Sequence, residues 1–197
     1  MSARRVALAA VIGYAAGTLP SAAVAARLAR SSSDVSQLGS GNPGAFNTSQ
    51  QLGRWWGIGV GLSDIAKGTV ATWAGRRLGG DGGCYAAATA VVAGHVYPPS
   101  RRGGRGVATS FGATFIAFPL FAPIDLAVAA AVMGARRHAP KGTRSRPAVL
   151  ASTSVFVCMS SLWAWKRLPN PGGPASGGGM LAYALATAAL VLPRWVS

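Results

Sequence analysis

Charge is scarce in this chain, and negative charge is almost missing. Only 12% of its 197 residues are charged, and all four acidic residues are aspartates. A soluble domain carries roughly twice that share of charge, about 25%. Because half of the residues are also hydrophobic, the composition argues against an ordinary soluble domain and indicates a chain that lies in a lipid bilayer.

The excess of positive charge has two possible meanings. A net charge of +15 would suit a nucleic-acid partner or a membrane surface. The basic residues stand in short groups between apolar runs, such as Arg76-Arg77 and Arg136-Arg137, and do not form a stripe. This distribution is typical of membrane proteins, so we predict membrane lipids and no nucleic acid as partners.

Cysteine is also rare. Cys84 and Cys158 show neither metal-ligand nor redox spacing, and both are interpreted as small core residues. No other motif for a metal or cofactor is present, so none is predicted.

The apolar runs predict a single polytopic membrane domain over residues 1–197. An N-terminal signal peptide is the less favoured interpretation of the first run, since its alanine-rich end leads directly into a glycine-rich loop. Several runs are shorter than the roughly 20 residues of an upright span. The seven predicted segments are Val6–Ala26, a span that follows the interfacial anchor Arg54-Trp55-Trp56 and ends at about Gly75, Cys84–Pro98, two helices within Val107–Ala135 that meet near Ala122 with Pro123 at the start of the second, Ala148–Trp165, and Met180–Pro193.

Charge counting predicts the orientation of these segments. With seven crossings, the loops at residues 27–54, 99–106 and 136–147 share one side with the C-terminus, and they carry three, three, five and one Lys or Arg. The opposite side carries six, including Arg4-Arg5. The positive-inside tendency places the richer side in the cytoplasm and the N-terminus outside.

Two loops on that side have the composition of anion sites. The first, Gly39–Asn47, reads Gly-Ser-Gly-Asn-Pro-Gly-Ala-Phe-Asn and cannot continue a helix. Such loops turn backbone N–H groups toward one point, which predicts a phosphate cradle. The second, Ser100–Thr109, interleaves Arg101, Arg102 and Arg105 with three glycines, and arginine is a strong anion donor.

The second predicted span carries an ionisable pair. Asp64 and Lys67 lie three positions apart, which puts them on one helical face. Burying either charge alone in lipid costs several kcal/mol. The pair is therefore interpreted either as a polar interior site or as a structural ion pair that joins helices, and the sequence leaves both open.

Four blocks in register resemble the bacterial acyl-phosphate:glycerol-3-phosphate acyltransferase family, known as PlsY. They are Gly39–Asn47, Asp64-Ile65-Ala66-Lys67-Gly68, Gly94-His95 with Pro98, and Arg102–Thr109. The resemblance covers roughly residues 10–115 and is specific because the order and spacing of four blocks agree. It implies an all-α integral membrane protein of about seven transmembrane helices, several of them short, with two glycine-rich phosphate-binding loops on the cytoplasmic face.

The resemblance also implies a reaction and a set of site residues. A fatty acyl group moves from acyl phosphate to the sn-1 hydroxyl of glycerol-3-phosphate, giving lysophosphatidic acid and phosphate. The expected partners are these two substrates, and the oligomeric state is left open. Catalytic contacts are assigned to Ser40, Asn42 and Arg105, the last standing where the family usually has lysine. Substrate binding is assigned to Gly39, Gly41, Gly44, Asn47, Asp64, Lys67, His95, Arg102, Gly103, Gly104, Gly106 and Thr109, with His95 expected to organise its loop more than to act as a base.

The chain departs from the family pattern at several positions. Gln50 stands where the family has arginine, and Phe46 where it usually has threonine. The family's serine-rich start of the penultimate span is recognisable only in Leu150-Ala151-Ser152, and its C-terminal Arg-His and Asn are reduced to Arg194. His138 lies in a different loop and is expected to be solvated.

Three functions are therefore weighed. The first is an active acyltransferase with a modified site. The second, favoured by the altered tail, is a non-catalytic relative that binds acyl phosphate or phospholipid. The third is a small transporter, since short segments broken by Gly and Pro also occur along substrate paths, but no clear internal repeat supports it.

Overall fold

The computed structural model describes residues 2–31, 34–99, 102–140, 143, 145–175 and 177–196. Arg101 of the second glycine-rich loop lies outside these residues. The described chain is helical and contains no strand, which confirms the all-α prediction. A short 3-10 helix, Val35–Gln37, precedes the first glycine-rich loop. The α-helices in the described residues are α1 (Ala3–Gly17), α2 (Ser21–Leu28), α3 (Ala45–Leu52), α4 (Arg54–Val96), α5 (Val107–Ala117), α6 (Phe121–Ala135), α7 (Ser145–Lys166), α8 (Gly178–Val191) and α9 (Pro193–Val196).

Helix α4 is a hairpin of two antiparallel limbs, residues 54–79 and 81–96. The helix breaks at Gly80, whose φ of 55° and ψ of −144° suit glycine. In a straight helix Asp64 and His95 would lie about 46 Å apart at 1.5 Å per residue, yet their side chains approach to 3.8 Å. The sequence predicted one segment that ends at about Gly75 and another that begins at Cys84, with residues 75–83 between them as a turn. The helix instead continues through most of these residues, because glycines let the two limbs touch and only Gly80 leaves the helical conformation.

The hairpin is the centre of the bundle. α1 packs on its second limb so closely that a Cβ atom at Gly13 would lie 2.6 Å from the Ala87 carbonyl oxygen. α5 packs on its first limb, where a Cβ atom at Gly68 would lie 2.9 Å from the Ala113 nitrogen. Small residues at such contacts are the usual means of close helix packing in membranes.

Two predicted segments end where proline or local turns interrupt the helix. The predicted span Val6–Ala26 is divided into α1 and α2, because Pro20 lacks the N–H that a continuous helix needs. The run Val107–Ala135 is divided as predicted, although the break lies at residues 118–120, and Pro123 falls in the first turn of α6. Ala3–Leu28 and Ser145–Lys166 are each long and apolar enough to cross a membrane, while α5 and α6 are shorter apolar helices.

The first limb of α4 presents an apolar face bounded by two tryptophans. Trp55 is 72% exposed and Trp73 is 50% exposed, and each lies under an arginine guanidinium, Arg54 at 4.8 Å and Arg77 at 5.4 Å from the ring centroid. Trp55 and Trp73 are eighteen residues apart, so they lie on the same face of the helix and about 27 Å apart along its axis. This distance is close to the ~30 Å hydrocarbon thickness of a bilayer. This spacing is expected of interfacial anchors at the two edges of a membrane span.

The connections group at two ends of the bundle. At one end, the segment between α7 and α8 packs on the α4 hairpin turn, where Arg76 donates to the carbonyl oxygens of Gly172 and Gly173 at 2.6 and 2.7 Å. The N-terminal part of α1 is also there, since Gly79 lies beside Arg5. The other end holds both glycine-rich loops and α9, and we call it the site end. Which side of the membrane the site end faces stays a prediction.

Candidate active site at the two glycine-rich loops

The first loop is held by the side chain of Asn47, which is only 3% exposed. Its amide nitrogen donates to the carbonyl oxygens of Val35 and Leu38 at 2.8 and 3.0 Å, and its amide oxygen accepts the Ser40 N–H at 3.2 Å. All three bonds lie within the loop and its approach. Asn47 therefore orders the loop, and its polar side-chain atoms are occupied by backbone groups.

The rest of the first loop leaves polar atoms available. Gly39 and Gly41 have positive φ, 55° and 65°, which turns the backbone around Ser40. The Ser40 residue is exposed. The amide oxygen of Asn42 is buried and has no hydrogen-bond partner among the described residues, while its amide nitrogen packs against Gly44. A buried acceptor without a partner is uncommon in folded proteins and favours a missing donor.

The second loop is fixed by its glycines. Gly103 and Gly104 are buried, and the Gly104 N–H donates to the carbonyl oxygen of His95 at 3.0 Å. A Cβ atom at Gly103 would overlap the Val96 backbone, and one at Gly104 would overlap the His95 imidazole. Only glycine fits at either position, which explains the sequence pattern in physical terms. Gly106, with a φ of 86°, then leads into α5.

The two loops meet at Arg102. A Cβ atom at Gly41 would lie 2.6 Å from Nη1 of Arg102 and 3.3 Å from its Cζ, so the guanidinium of the second loop lies on the backbone of the first. No carboxylate of the described chain is within ion-pair distance of Arg102. The juxtaposition places a cation without a carboxylate partner in the described chain at the point where the two loops meet.

A cavity of about 90 Å³ lies beneath this contact. It is bounded by the break between α1 and α2, by both glycine-rich loops and by both limbs of α4. Its wall contains both signs of charge. The polar residues that line it are Ser21, Asp34, Ser36, Asp64, Lys67, His95 and Arg102.

The predicted pair of Asp64 and Lys67 is confirmed and buried. Lys67 Nζ lies 2.9 Å from Asp64 Oδ1 and also donates to the carbonyl oxygen of Leu19 at 3.1 Å. The same carboxylate oxygen accepts the hydroxyl of Ser21 at 2.7 Å and lies 3.8 Å from His95 Nδ1. Both interpretations of the pair thus have support, because it joins α4 to the start of α2 and it lines the cavity.

Arg105 lies outside the cavity wall, in a second cluster formed with the C-terminus. Its guanidinium stacks on Trp195 at 4.4 Å from the ring centroid. Arg194 donates to the carbonyl oxygen of Gly103 at 2.9 Å. Burial, and then the charge of Arg194, lower the pKa of Arg105. Two guanidinium groups therefore approach each other with no carboxylate beside them in the part of the chain described, which is an arrangement that a bound anion would stabilise.

The other residues singled out from the sequence lie outside the cavity wall. Thr109, in the first turn of α5, is fully buried, and its hydroxyl has no partner within the described residues. His138 is exposed at the end of α6 and accepts a hydrogen bond from Arg137, as expected of a solvated residue. Ser40, Asn42 and Arg105, predicted to make the catalytic contacts, are not among the residues that line the cavity.

Sequence reasoning did not identify Ser21, Asp34 or Trp195. Ser21 follows Pro20, and a break in an apolar run was the available signal for a residue that approaches the site. Trp195 carried no signal, because its contact with Arg105 depends on how the C-terminal helix folds back. Among the described residues, no group of three or more His, Cys, Asp or Glu is arranged to hold a metal ion.

Comparisons with known proteins give a consistent result. The model of the family described as glycerol-3-phosphate acyltransferase matches residues 7–196. The glycerol-3-phosphate acyltransferase of Thermoanaerobacter sp. (strain X514) is 35% identical over 158 residues, 79% of this chain and 76% of that protein. Glycerol-3-phosphate acyltransferase 1 of Deinococcus radiodurans is 37% identical over 160 residues, 79% of each chain. The match to the protein of Symbiobacterium thermophilum, 37% identical, covers 61% of each chain.

A solved structure agrees with these relatives. It is the glycerol 3-phosphate form of PlsY (YgiH), described as an integral membrane glycerol 3-phosphate acyltransferase. This chain superimposes on it with a TM-score of 0.74 and 25% identity, covering 96% of this chain and 87% of that one. The resemblance drawn from the loop motifs is thereby confirmed.

Proposed function

Because this chain belongs to the glycerol-3-phosphate acyltransferase family, as a PlsY-type membrane enzyme, we propose that acyl phosphate is its donor and the sn-1 hydroxyl of glycerol-3-phosphate its acceptor. The products are lysophosphatidic acid and inorganic phosphate. Both substrates carry phosphate and the donor carries an acyl chain. A site of backbone amides, hydroxyls and arginines at the end of a membrane bundle suits that combination.

One observation carries this proposal: Arg102, Arg105 and Arg194 gather around the two glycine-rich loops without a carboxylate in ion-pair distance within the described chain. Uncompensated like charges repel, and partial burial makes them more costly. Phosphate groups supply the missing negative charge, and arginine binds them as a planar fork.

Each loop has a preferred substrate in this proposal. Glycerol-3-phosphate occupies the cavity, whose volume of about 90 Å³ suits a small polyol head. Lys67 and Arg102 face its phosphate, and Asp64 and His95 orient its hydroxyls. The phosphate of the donor lies at the second loop, against Arg105 and Arg194.

Acyl phosphate needs little chemical activation, because phosphate is a good leaving group. The acceptor hydroxyl oxygen attacks the acyl carbon, the bond from that carbon to the phosphate oxygen breaks, and the hydroxyl proton passes to the departing phosphate. The protein positions the reactants and offsets the charge that develops. Ser40 and Asn42 contact the reacting groups, Arg105 holds the leaving phosphate, and no protein nucleophile or cofactor is required.

The other residues assigned to substrate binding act by shaping the site. Asn47 and the positive φ values of Gly39 and Gly41 set the curve of the first loop, and Gly44 is the N-cap residue that precedes α3. Gly103 provides the close approach to Val96, and Thr109 offers a buried hydroxyl below the second loop. We place the site end in the cytoplasm, because the segments on that side carry twelve Lys and Arg against six on the other.

A non-catalytic relative is the second candidate, and the tail favours it. Trp195 follows Arg194 where the family has histidine, so the side chain that stacks on Arg105 has no acid or base function. Such a protein would bind acyl phosphate without turnover. An active enzyme releases phosphate and forms lysophosphatidate, which separates the two candidates.

The test uses the full chain purified in detergent, with palmitoyl phosphate or palmitoyl-coenzyme A as donor. We expect product with the acyl phosphate and glycerol-3-phosphate, acylated at the sn-1 position, and little with the thioester. Ser40→Ala and Arg105→Ala should lower turnover, whereas Arg137→Ala, an exposed arginine at the same end, should not. Turnover no greater than that of Ser40→Ala would overturn the proposal.

A further inference from the structure

The carboxylate of Asp64 is held by the protein at one of its two oxygens. Oδ1 accepts the Ser21 hydroxyl at 2.7 Å and pairs with Lys67 Nζ at 2.9 Å, and His95 Nδ1 lies 3.8 Å from the same atom. Each carboxylate oxygen accepts about two hydrogen bonds. Ser21 and Lys67 therefore fill the capacity of Oδ1.

The second oxygen, Oδ2, receives no donor from the part of the chain that the structure describes. Asp64 is only 2% exposed, and it lines the cavity beneath the two loops. A carboxylate that is removed from water is costly unless hydrogen-bond donors replace the water at its oxygens. The structure therefore leaves a place at Asp64 for a donor from a molecule in the cavity.

Ser21 fixes which oxygen stays available. It follows Pro20 at the start of α2, so the break in the first span brings its hydroxyl to helix α4. Ser63 Oγ donates to Ser21 Oγ at 3.3 Å, which leaves the hydrogen of the Ser21 hydroxyl for Asp64. Two donors at Oδ1, one from α2 and one from Lys67 on α4, oppose rotation of the carboxylate.

The group that suits Oδ2 is a hydroxyl. An O–H donates to a carboxylate oxygen, whereas a carbonyl oxygen in the same place has no hydrogen to donate and meets negative charge. In the proposed function, on which this step rests, the phosphate of glycerol-3-phosphate faces Lys67 and Arg102, and its sn-1 hydroxyl is acylated. The sn-2 hydroxyl is the one that remains to donate to Asp64.

From this geometry we propose that Asp64, with Ser21 as its positioning residue, selects an acceptor that carries a hydroxyl at its middle carbon. Dihydroxyacetone phosphate has a ketone there and is rejected, because a site built to accept a hydrogen bond discriminates against a ligand that lacks the donor. 3-Hydroxypropyl phosphate has no oxygen at that carbon and leaves Oδ2 unsatisfied. Oδ1 therefore joins the helices, while Oδ2 contacts the substrate.

The test measures acyl transfer from palmitoyl phosphate to these three acceptors. In the wild type, kcat/KM for glycerol-3-phosphate should exceed that for each of the other two by about tenfold or more, the value of one hydrogen bond to a charged group. Asp64→Asn presents an amide that donates to a ketone oxygen, so it should shift the preference towards dihydroxyacetone phosphate by about tenfold. Asp81→Asn, at the opposite end of the bundle, should keep the wild-type ratio.

Two Ser21 variants decide the matter if Asp64→Asn does not fold. Ser21→Ala keeps the ion pair of Asp64 with Lys67 but frees the carboxylate to rotate, so the preference for glycerol-3-phosphate should fall. Ser21→Thr keeps the hydroxyl and should retain the preference. A wild-type preference in Ser21→Ala, or an equal loss in both variants, would overturn the role of Ser21.

A binding measurement separates this inference from the proposed function. Thermal stabilisation of the full chain by each of the three phosphates, without an acyl donor, measures the same preference in the absence of turnover. An inactive protein that prefers glycerol-3-phosphate would contradict the proposed function and support this inference. Turnover with equal kcat/KM for the three acceptors, or a wild-type preference in folded Asp64→Asn, would overturn the inference and leave the proposed function standing.

Discussion

The two glycine-rich loops are held by different means. The first is tied by Asn47, a residue of its own sequence block, to Val35, Leu38 and Ser40. The second takes its support from elsewhere, from the His95 carbonyl, from Arg194 and from Trp195. The first loop is therefore self-contained, whereas the second depends on the α4 hairpin and on the C-terminus. Substitutions at Arg194 or Trp195 should therefore affect only the second loop.

Removing the internal tie of the first loop should have the largest effect. Asn47→Ala removes the side-chain donor to the Val35 and Leu38 carbonyl oxygens and the acceptor of the Ser40 N–H, hydrogen bonds worth about 0.5–1.5 kcal/mol each. We expect a clear fall in the unfolding temperature in detergent and at least about a hundredfold loss of turnover, which is roughly 2.7 kcal/mol. Gln50→Ala, exposed and three residues away, is the control. A fall no greater than that of the control would show that the loop is not held from within.

A methyl group added at Gly104 should disturb the second loop, because it would overlap the His95 side chain. Gly104→Ala forces the added Cβ into the His95 imidazole, and overpacking of this kind typically costs about 1–3 kcal/mol. Turnover and thermal stability should both fall. Gly178→Ala, where a Cβ atom meets open space, should leave both unchanged. Equal behaviour of the two variants would contradict the close packing of the loop against His95.

Much of the first loop was predictable, and the reason lies in its sequence range. Asn47 contacts residues within twelve positions, and Asp64 and Lys67 are three apart, so local pattern and helical spacing reveal them. The contacts of Arg194 and Trp195 with the second loop span about ninety positions and depend on tertiary packing. The single-residue hairpin turn at Gly80 was also hidden, because a glycine-rich run does not reveal which glycine leaves the helix.

Loss of the contact between Arg194 and Gly103 should distinguish the two loops, because it removes support from the second loop only. Arg194→Ala removes the donor to Gly103 and one of two clustered cations, a charge-assisted contact worth roughly 1.5–3 kcal/mol. We expect the KM for acyl phosphate to rise about tenfold or more, with a smaller change for glycerol-3-phosphate. Arg194→Lys should recover part of the affinity. An equal rise in both KM values would mean that the tail supports both loops.

The stack beneath Arg105 should matter less. Trp195→Ala removes a cation–π contact of roughly 0.5–2 kcal/mol, so the apparent affinity for acyl phosphate should fall by about two- to thirtyfold. Trp195→Phe retains an aromatic face and should lose less. Affinity that is equally weak in both variants would assign the effect to the indole nitrogen and not to stacking.

Low pH should lower the stability of the folded protein only slightly through Asp34, which precedes the first loop. The Ser36 backbone N–H donates to the Asp34 carboxylate at 2.9 Å, and this bond holds the pKa of Asp34 below its usual range. The carboxylate therefore stabilises the folded state above the ordinary carboxyl pKa of about 4, and this contribution is lost as the pH falls through the lower folded pKa. Asp34→Asn should flatten that part of the stability profile, measured by thermal unfolding from pH 2 to 6. If the stability of the variant depends on pH with the same slope as that of the wild type, Asp34 does not contribute to the acid dependence.

The central claim is that the two loops, despite their different supports, form one acyl-transfer site. Its most direct test is a double-mutant cycle between Asn42 and Arg102, measured as kcat/KM for lysophosphatidate formation from acyl phosphate and glycerol-3-phosphate. If the loops act together, the double variant loses less than the two single losses combined, with a coupling above about 0.5 kcal/mol. Losses that add to within about 0.3–0.5 kcal/mol would contradict a shared site.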